Sequence, residues 1–375
     1  MPFVTIGYIR TLFIFGTRPE AIKLCPVIRR LRSEPARFQV KVVVTAQHRE
    51  MLDQVLMLFG VSPDYDLNLM RPAQTLPALT AGILVGLEPV LETERPDLVV
   101  VQGDTTTTLA AALAAFYRQI PVAHVEAGLR TGDMARPFPE EMNRVLTTKL
   151  AAIHFAPTRR AAAALAAEAV CPQKIIVTGN TGIDALLWVK NRLESGEMDG
   201  GSWPWLDRSR HLLLVTSHRR ENFGPGFDRV MRALARLASR ADVQIVYPVH
   251  RNPRVAEPAF QALAGLEHVT LLDPLPYDGL VDLMRRCRLI LTDSGGIQEE
   301  APSLGKPVLV LREKTERPEA VEAGTVKLVG TDEELIVAEA TRLLEDPGAY
   351  SRMSHVHNPY GDGTAAERIA AFLGS

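Results

Sequence analysis

Short apolar, β-branched runs alternate with longer amphipathic stretches along the chain. The runs fall at 12–15, 40–44, 98–101, 122–125, 153–156 and 175–177, and again at 212–216, 243–247, 269–272, 289–292, 308–311 and 326–329. Helix-like stretches at 21–31, 51–59, 105–117 and 161–169 separate the earlier ones. Continuous apolar strands alternating with helices predict parallel sheet covered on both faces. Such sheets bind ligands beyond the carboxyl ends of their strands. The fold expected is α/β, with two Rossmann-like doubly wound parallel-sheet domains facing a cleft.

Length supports two domains. The 375 residues exceed one ordinary core, and domains of roughly 150–200 residues are the default. The pattern is weakest at 195–210, where Gly200-Gly201, Pro204 and two tryptophans make the best linker candidate, after a helix at 182–193. The division expected is an N-terminal domain at 1–180, a connecting helix and linker at 181–205, and a C-terminal domain at 206–358. A last helix within 359–375 is expected to pack back on the first domain. Thr331-Asp332-Glu333-Glu334 has capping-box spacing and predicts a helix to about 345.

Composition changes this picture little. The chain is 46% hydrophobic and 23% charged, as in soluble globular proteins. A formal charge of −2 argues against a general nucleic-acid binder, whereas a small anionic ligand needs only a local cluster of cations. No apolar run approaches the roughly 20 residues of a membrane span, and nothing resembles a signal-peptidase site. Cys25, Cys171 and Cys287 are scattered and read as reduced thiols of a cytoplasmic protein. No spacing suggests a metal site, and neither a GxGxxG fingerprint nor a Walker lysine is present.

Two turns stand out. Gly16-Thr17-Arg18-Pro19-Glu20 and Asp293-Ser294-Gly295-Gly296 each follow a strand-like run and open a helix-like segment. Amide groups at a helix N-terminus are unpaired and sit at the positive end of the dipole, so such turns favour anions. One turn in each half suggests a ligand with negative charge, more readily a phosphate compound than a simple acid. Arg18 and Lys23 bracket the first helix turn; a solvated pair is the plain alternative. Ser294, Gly295 and Gly296 can form a phosphate-cradling nest, or simply a flexible turn. Glu300, one helix turn on, could accept bonds from ribose hydroxyls, while Glu299 better fits a solvated face. Arg317 is a cation after a strand, where a surface loop arginine is the ordinary reading.

The candidate proton-transfer groups sit at strand ends or helix starts. Asp104 follows the run at 98–103, and an N-cap role is as good a reading as catalysis. Glu126 falls in a loop, where a carboxylate is hard to explain structurally. Glu140 and Glu141 open a helix; complementing its dipole, with Glu140 pairing to Arg144, is the simpler account. His218 leads a run too polar for a core and could bind phosphate or move a proton. His250, within YPVHRNP, is ambiguous.

Together these segments resemble the non-hydrolysing UDP-N-acetylglucosamine 2-epimerases. The matching pieces include GTRPEAIK (16–23), QGDTTTTLAAALAAFY (102–117), HVEAGLRTGD (124–133), FPEEMNR (138–144), SHRRENFG (217–224), YPVHRNP (247–253), TDSGGIQEEAPSLGKPVL (292–309) and ERPEAVEAGT (316–325), in family order through nearly the whole chain. The resemblance implies a GT-B-like fold with UDP-sugar in the cleft, a homodimer, and no metal or nicotinamide cofactor. It implies reversible conversion of UDP-GlcNAc to UDP-ManNAc by elimination of UDP to 2-acetamidoglucal and re-addition, in a pathway supplying surface polysaccharide. It places the acid/base carboxylates on Asp104, Glu126 and Glu140, and a histidine for the leaving diphosphate on His218. Nucleotide contacts fall on Arg18, Lys23, Ser294, Gly295, Gly296, Glu300 and Arg317. The rivals are a hydrolysing relative that releases ManNAc and UDP, a GT-B glycosyltransferase, and a catalytically silent UDP-sugar sensor.

The chain also departs from the family. Leu275 and Leu280 stand where many bacterial relatives have Gln and Phe. Some relatives need a second UDP-GlcNAc as activator. The matching positions keep Gln47 and His250 but show Glu50 and Ala73, where a Gln and an Arg are typical. Losing an arginine from a diphosphate site weakens it, so weakened substrate activation is expected.

Overall fold

The computed structural model describes residues 8–45, 49–71 and 74–375. The chain forms two compact units. One comprises the chain up to Ala185 together with Tyr360–Ser375, and the other is Leu186–Pro359.

In the first unit, β1 (Ile9–Phe15), β2 (Phe38–Val44), β3 (Tyr65–Asp66), β4 (Leu98–Gln102), β5 (Val122–Val125), β6 (Ile153–Ala156) and β7 (Ile175–Val177) form one parallel sheet in the order β3-β2-β1-β4-β5-β6-β7. Strand order reverses between β1 and β4, the switch point at which doubly wound sheets open a crevice. All five residues of β4 are buried because helices cover both faces; each such large apolar side chain contributes about 1.5–3 kcal/mol. The helix Thr106–Tyr117 lies close on the sheet because its inner face is alanine: Ala110, Ala111, Ala112 and Ala115 have no exposed surface.

In the second unit, β8 (His211–Thr216), β9 (Val243–Pro248), β10 (Val269–Leu272), β11 (Leu289–Thr292), β12 (Val308–Val310) and β13 (Val326–Leu328) form a parallel sheet in the order β10-β9-β8-β11-β12-β13. The winding is the same, with its switch point between β8 and β11. Phe227, Val230 and Leu234 of the helix Pro225–Ala238 share a core with Ile336, Ala340 and Leu343 of the helix Glu333–Glu345. The chain thus has the fold class expected of it, two doubly wound parallel sheets.

Several details differ from expectation. The two-residue strand β3 carries no apolar pattern and escapes a periodicity reading. The helix Leu76–Glu94 does have the length and mean hydropathy (1.3) of a membrane span. Leu79, Ile83, Leu87, Val90 and Leu91 bury one side of it in the core shared with Ala110, Ala111 and Ala114. The tryptophan-rich segment after Ser195 is docked on its own unit: the Trp203 indole N–H donates to buried Asp282 at 2.8 Å. A Cβ on Gly200 would lie 2.5 Å from that of Asp282. The helix Glu333–Glu345 is capped by Asp332, whose side chain accepts from the Leu335 N–H, and not by Thr331. Thr331 instead accepts from Arg229.

The C-terminal helix Ala365–Leu373 belongs to the first unit. Asp184 accepts from the Ala365 and Ala366 N–H groups at 3.2 and 2.8 Å. Arg30 donates to Glu367, and Phe372 meets Phe155 edge-on at 5.8 Å.

Candidate active site

The carboxyl ends of β1, β4 and β5 gather the first unit's polar residues. A Cβ on Gly16 would come within 2.1 Å of Thr45 Oγ1, so only glycine lets this turn pass so close to β2. The turn is not open to an anion as the sequence suggests. Glu20 folds back and accepts from the Gly16 and Thr17 N–H groups at 3.1 and 2.7 Å. Its other oxygen accepts from Thr105 Oγ1 at 2.7 Å and Thr108 Oγ1 at 3.2 Å. Buried, with the carboxyl pushed up by loss of solvent, Glu20 braces the turn after β1 against the turn after β4. The sequence reading missed this; proline before a glutamate three residues past a threonine cap was the available signal. Arg18 opens the helix Arg18–Arg32, half-buried.

Asp104 does not cap the helix that follows it. Thr105 does, accepting from the Thr108 N–H at 3.1 Å. Asp104 is instead paired with Arg144 at 2.5 Å, and its carbonyl accepts from Asn143 at 2.9 Å. Arg144 also faces Glu141 at 3.2 Å, so it pairs with Glu141 and not with Glu140. Glu141 is buried and accepts from the Thr131 and Gly132 N–H groups, both at 3.0 Å, which ties the preceding loop to the helix Glu140–Leu150. Glu140 is partly buried, and its Oε2 has no hydrogen-bond partner among the described residues.

Glu126 follows β5 in the left-handed region, φ +64°. A non-glycine residue held there costs about 1–3 kcal/mol, and such strain concentrates at functional sites. Lys23 Nζ lies 2.5 Å from Glu126 Oε1, and Gln102 Nε2 donates to Oε2. The resemblance places Lys23 at the nucleotide; in the structure its ammonium meets the Glu126 carboxylate. Beneath this end of the sheet, His124 Nε2 donates to the Gly103 carbonyl at 2.7 Å. Burial pushes His124 down to about 3 and its β6 neighbour His154 to about 4.

The second unit's polar cluster lies at the ends of β8, β9 and β11. Its centre is Asp293, fully buried, to which the sequence alone gives no role. Asp293 Oδ2 accepts from Ser217 Oγ at 2.9 Å and from the His218 and Arg219 N–H groups, both at 2.8 Å. Asn222 Nδ2 reaches the same oxygen at 3.3 Å. His218 stacks on His250 with ring centroids 5.5 Å apart and planes 16° from parallel. Burial lowers the His218 imidazole; Asp293 opposes that, while Arg219 and His250 add to it.

Ser294, Gly295 and Gly296 open the short helix Gly295–Glu300. The Ser294 N–H is taken by Thr292 Oγ1 at 2.9 Å, whereas a Cβ on Gly296 would meet nothing within 4 Å. Over Gly295 lies Arg317, whose guanidinium carbon is 2.4 Å from where a Cβ would sit. Arg317 Nε donates to Glu299 Oε1 at 2.7 Å, so Glu299 is a buried partner and not a solvated residue. Glu300 is buried too and accepts from Tyr277 Oη at 3.3 Å. Arg312, between Glu221 and Glu316, extends the alternating charges and holds the Glu316 carboxyl down at about 2 against the effect of burial. Gln47 and Ala73 lie outside the described residues; Glu50 lies in the helix Arg49–Phe59.

A family model described as UDP-N-acetylglucosamine 2-epimerase matches residues 29–374. The chain belongs to that family. It is 57% identical over 369 residues to a UDP-N-acetylglucosamine 2-epimerase of Escherichia coli K12, covering 97% of this chain and 98% of the relative. A Bacillus subtilis 168 member is 50% identical over 97% of this chain and 95% of its own. The crystal structure of the Neisseria meningitidis UDP-GlcNAc 2-epimerase bound to UDP-GlcNAc superposes with a TM-score of 0.92 at 48% identity, covering 97% of this chain and 99% of that one. The family's fold extends further: the glycotransferase of kitacinnamycin matches at a TM-score of 0.66 with 14% identity, a likeness of fold alone. The chain is therefore an epimerase-family enzyme of GT-B-like fold.

Proposed function

We propose that the chain interconverts UDP-GlcNAc and UDP-ManNAc by elimination and re-addition of UDP. The carrying observation is the pair of carboxylates on neighbouring strand ends: Asp104 after β4, held by Arg144, and Glu126 after β5, held by Lys23. Glu140 opens the helix that supplies Arg144. The C2–H of the sugar is a poor acid, so a positioned base must remove it as the C1–oxygen bond breaks and UDP departs. The product is 2-acetamidoglucal. A proton then returns to C2 from the opposite face while the UDP oxygen re-forms its bond to C1. Two faces need two proton-transfer groups, and Asp104, Glu126 and Glu140 are the candidates. We assign His218, Ser294, Gly295, Gly296, Glu300, Arg317 and Arg18 to the nucleotide, with cations and backbone donors stabilising the departing diphosphate, and Lys23 to holding Glu126. The bound UDP-GlcNAc of the Neisseria relative supports this substrate. No metal or nicotinamide enters the reaction as we draw it, and the acting species we propose is a homodimer.

Proton NMR of the purified protein with UDP-GlcNAc in deuterated water tests the reading. UDP-ManNAc with deuterium at C2 of both epimers is the expected result. Free ManNAc with UDP would mark a hydrolysing enzyme. An unchanged sugar with UDP still bound would mark a transferase awaiting an acceptor, or a sensor.

A further inference from the structure

Asp293 sits at the switch point of the second sheet, between β8 and β11, with no exposed surface. Each group hydrogen-bonded to its carboxylate is a donor: Ser217 Oγ, the His218 and Arg219 N–H groups, and Asn222 Nδ2. Oδ2 takes the loop donors. Oδ1 accepts at 3.1 Å from the His218 N–H and faces His218 Nδ1 at 3.6 Å. The His218 ring also stacks on His250. A buried carboxylate aimed at one imidazole nitrogen favours a proton there, and it stabilises the imidazolium when the other nitrogen gains one.

We propose that Asp293 is a positioning residue that shapes the loop 217–222 and holds His218 with Nδ1 protonated, leaving Nε2 as its working nitrogen. This rests on the reading of His218 at the leaving diphosphate. Nε2 is then bare in the neutral ring and an N–H donor in the cation, so it can give and regain a hydrogen bond as UDP leaves and returns. Asparagine separates loop shaping from this second role. Its carbonyl can keep the loop donors at the Oδ2 position while its NH₂ faces Nδ1, reversing the partner there.

The test is ¹⁵N-histidine NMR of the full chain, with the His218 signals assigned by loss in His218→Gln. In the wild type the neutral His218 ring carries its proton on Nδ1. In Asp293→Asn the ring shifts to the Nε2–H tautomer and its pKa falls, because among the described residues Asp293 is the carboxylate that opposes burial, Arg219 and His250. Turnover of UDP-GlcNAc falls by up to about 10²-fold, the scale of one lost donor to a developing negative charge, with circular dichroism and melting temperature kept. A wild-type ring protonated on Nε2, or an asparagine variant with unchanged tautomer and pKa, overturns the proposal. If Asp293→Asn does not fold, the wild-type spectrum alone decides. A wild-type protein that converts no UDP-GlcNAc would sink the functional reading, while the tautomer still judges Asp293.

Discussion

Lys23 and Glu126, 103 residues apart in sequence, meet at 2.5 Å with side chains 14% and 7% exposed. The helix after β1 thus places its ammonium on the carboxylate that follows β5. Lys23→Met is expected to lower kcat by about 10²-fold, as for loss of a positioned proton-transfer group. In a Glu126→Gln background it should cost little more, because the two act as one unit. Steady-state rates of the two single variants and the double variant check this. A loss confined to UDP affinity would return Lys23 to the nucleotide.

Asp104→Asn and Glu126→Gln should each nearly abolish turnover while UDP binding stays close to normal. Neither change alters shape, and both remove the ionisable group. Calorimetric UDP titration beside an epimerisation assay measures both quantities. Full activity in both variants refutes the acid/base assignment.

Arg144 is the cation between Asp104 and buried Glu141. Arg144→Met leaves Glu141 facing no cation within its own helix. Breaking a buried pair in this way costs about 3–5 kcal/mol, so a marked drop in denaturant midpoint should accompany the loss of activity. Arg144→Lys should recover part of the stability, although it cannot reach both acids in the same planar geometry. Equal stability of Arg144→Met and wild type would show that Glu141 needs no countercharge.

Much of this was legible in the chain because parallel strands buried on both faces announce themselves as apolar runs, and because polar residues just past them collect at one sheet end. What was hidden depends on partners remote in sequence. Glu299 reads as a helix-surface residue until Arg317, eighteen positions on, reaches back to it. Asp293 reads as the end of a strand until four donors from 217–222 converge on it. The turn after Phe15 reads as an anion site because its amides look unpaired. Glu20 pairs with them, and only the fold shows that its second oxygen is also taken by Thr105. Composition and periodicity carry burial well and carry pairing poorly.

His124 and His154 make stability depend on pH with a definite sign. Both are held neutral by burial, at about 3 and about 4, against 6.5 unperturbed. Between those values and 6.5 the unfolded chain binds more protons than the folded one. Stability is therefore full above pH 6.5 and falls as pH drops, by about 1.4 kcal/mol per pH unit for each histidine. Asp184, pushed up to about 6 by burial, acts in the opposite direction, its folded form gaining a proton between pH 6 and 4. The clean measurement is the difference between wild type and His154→Phe in urea unfolding at pH 7.5 and pH 5. The variant should lose less stability on acidification; equal losses would show that His154 is protonated in the folded protein.

Asp184 also tethers the last helix, since Thr364 supplies no side-chain cap and Asp184 accepts from the Ala365 and Ala366 N–H groups instead. Asp184→Ala should destabilise the first unit by about 0.5–2 kcal/mol, the usual cost of a lost cap. Hydrogen exchange should rise most in Ala365–Leu373. Unchanged protection there would mean that Arg30, Phe155 and the buried face of the helix hold it without the cap.

The positions that the resemblance assigns to a second UDP-GlcNAc set the last prediction. His250, which the resemblance assigns to the activator, stacks on His218, which it assigns to the substrate diphosphate. Glu50 and Ala73 stand where that site usually offers a neutral amide and an arginine. A carboxylate repels a diphosphate, and a missing guanidinium removes a bidentate partner worth more than a single neutral hydrogen bond. The rate should therefore rise hyperbolically with UDP-GlcNAc concentration, and UDP-ManNAc should turn over without added UDP-GlcNAc. His250→Ala should still lower the rate, because the His218 ring loses the surface it packs on. A clearly sigmoidal curve, with UDP-ManNAc inert until UDP-GlcNAc is supplied, would show that Gln47 and His250 suffice to hold the activator without the arginine.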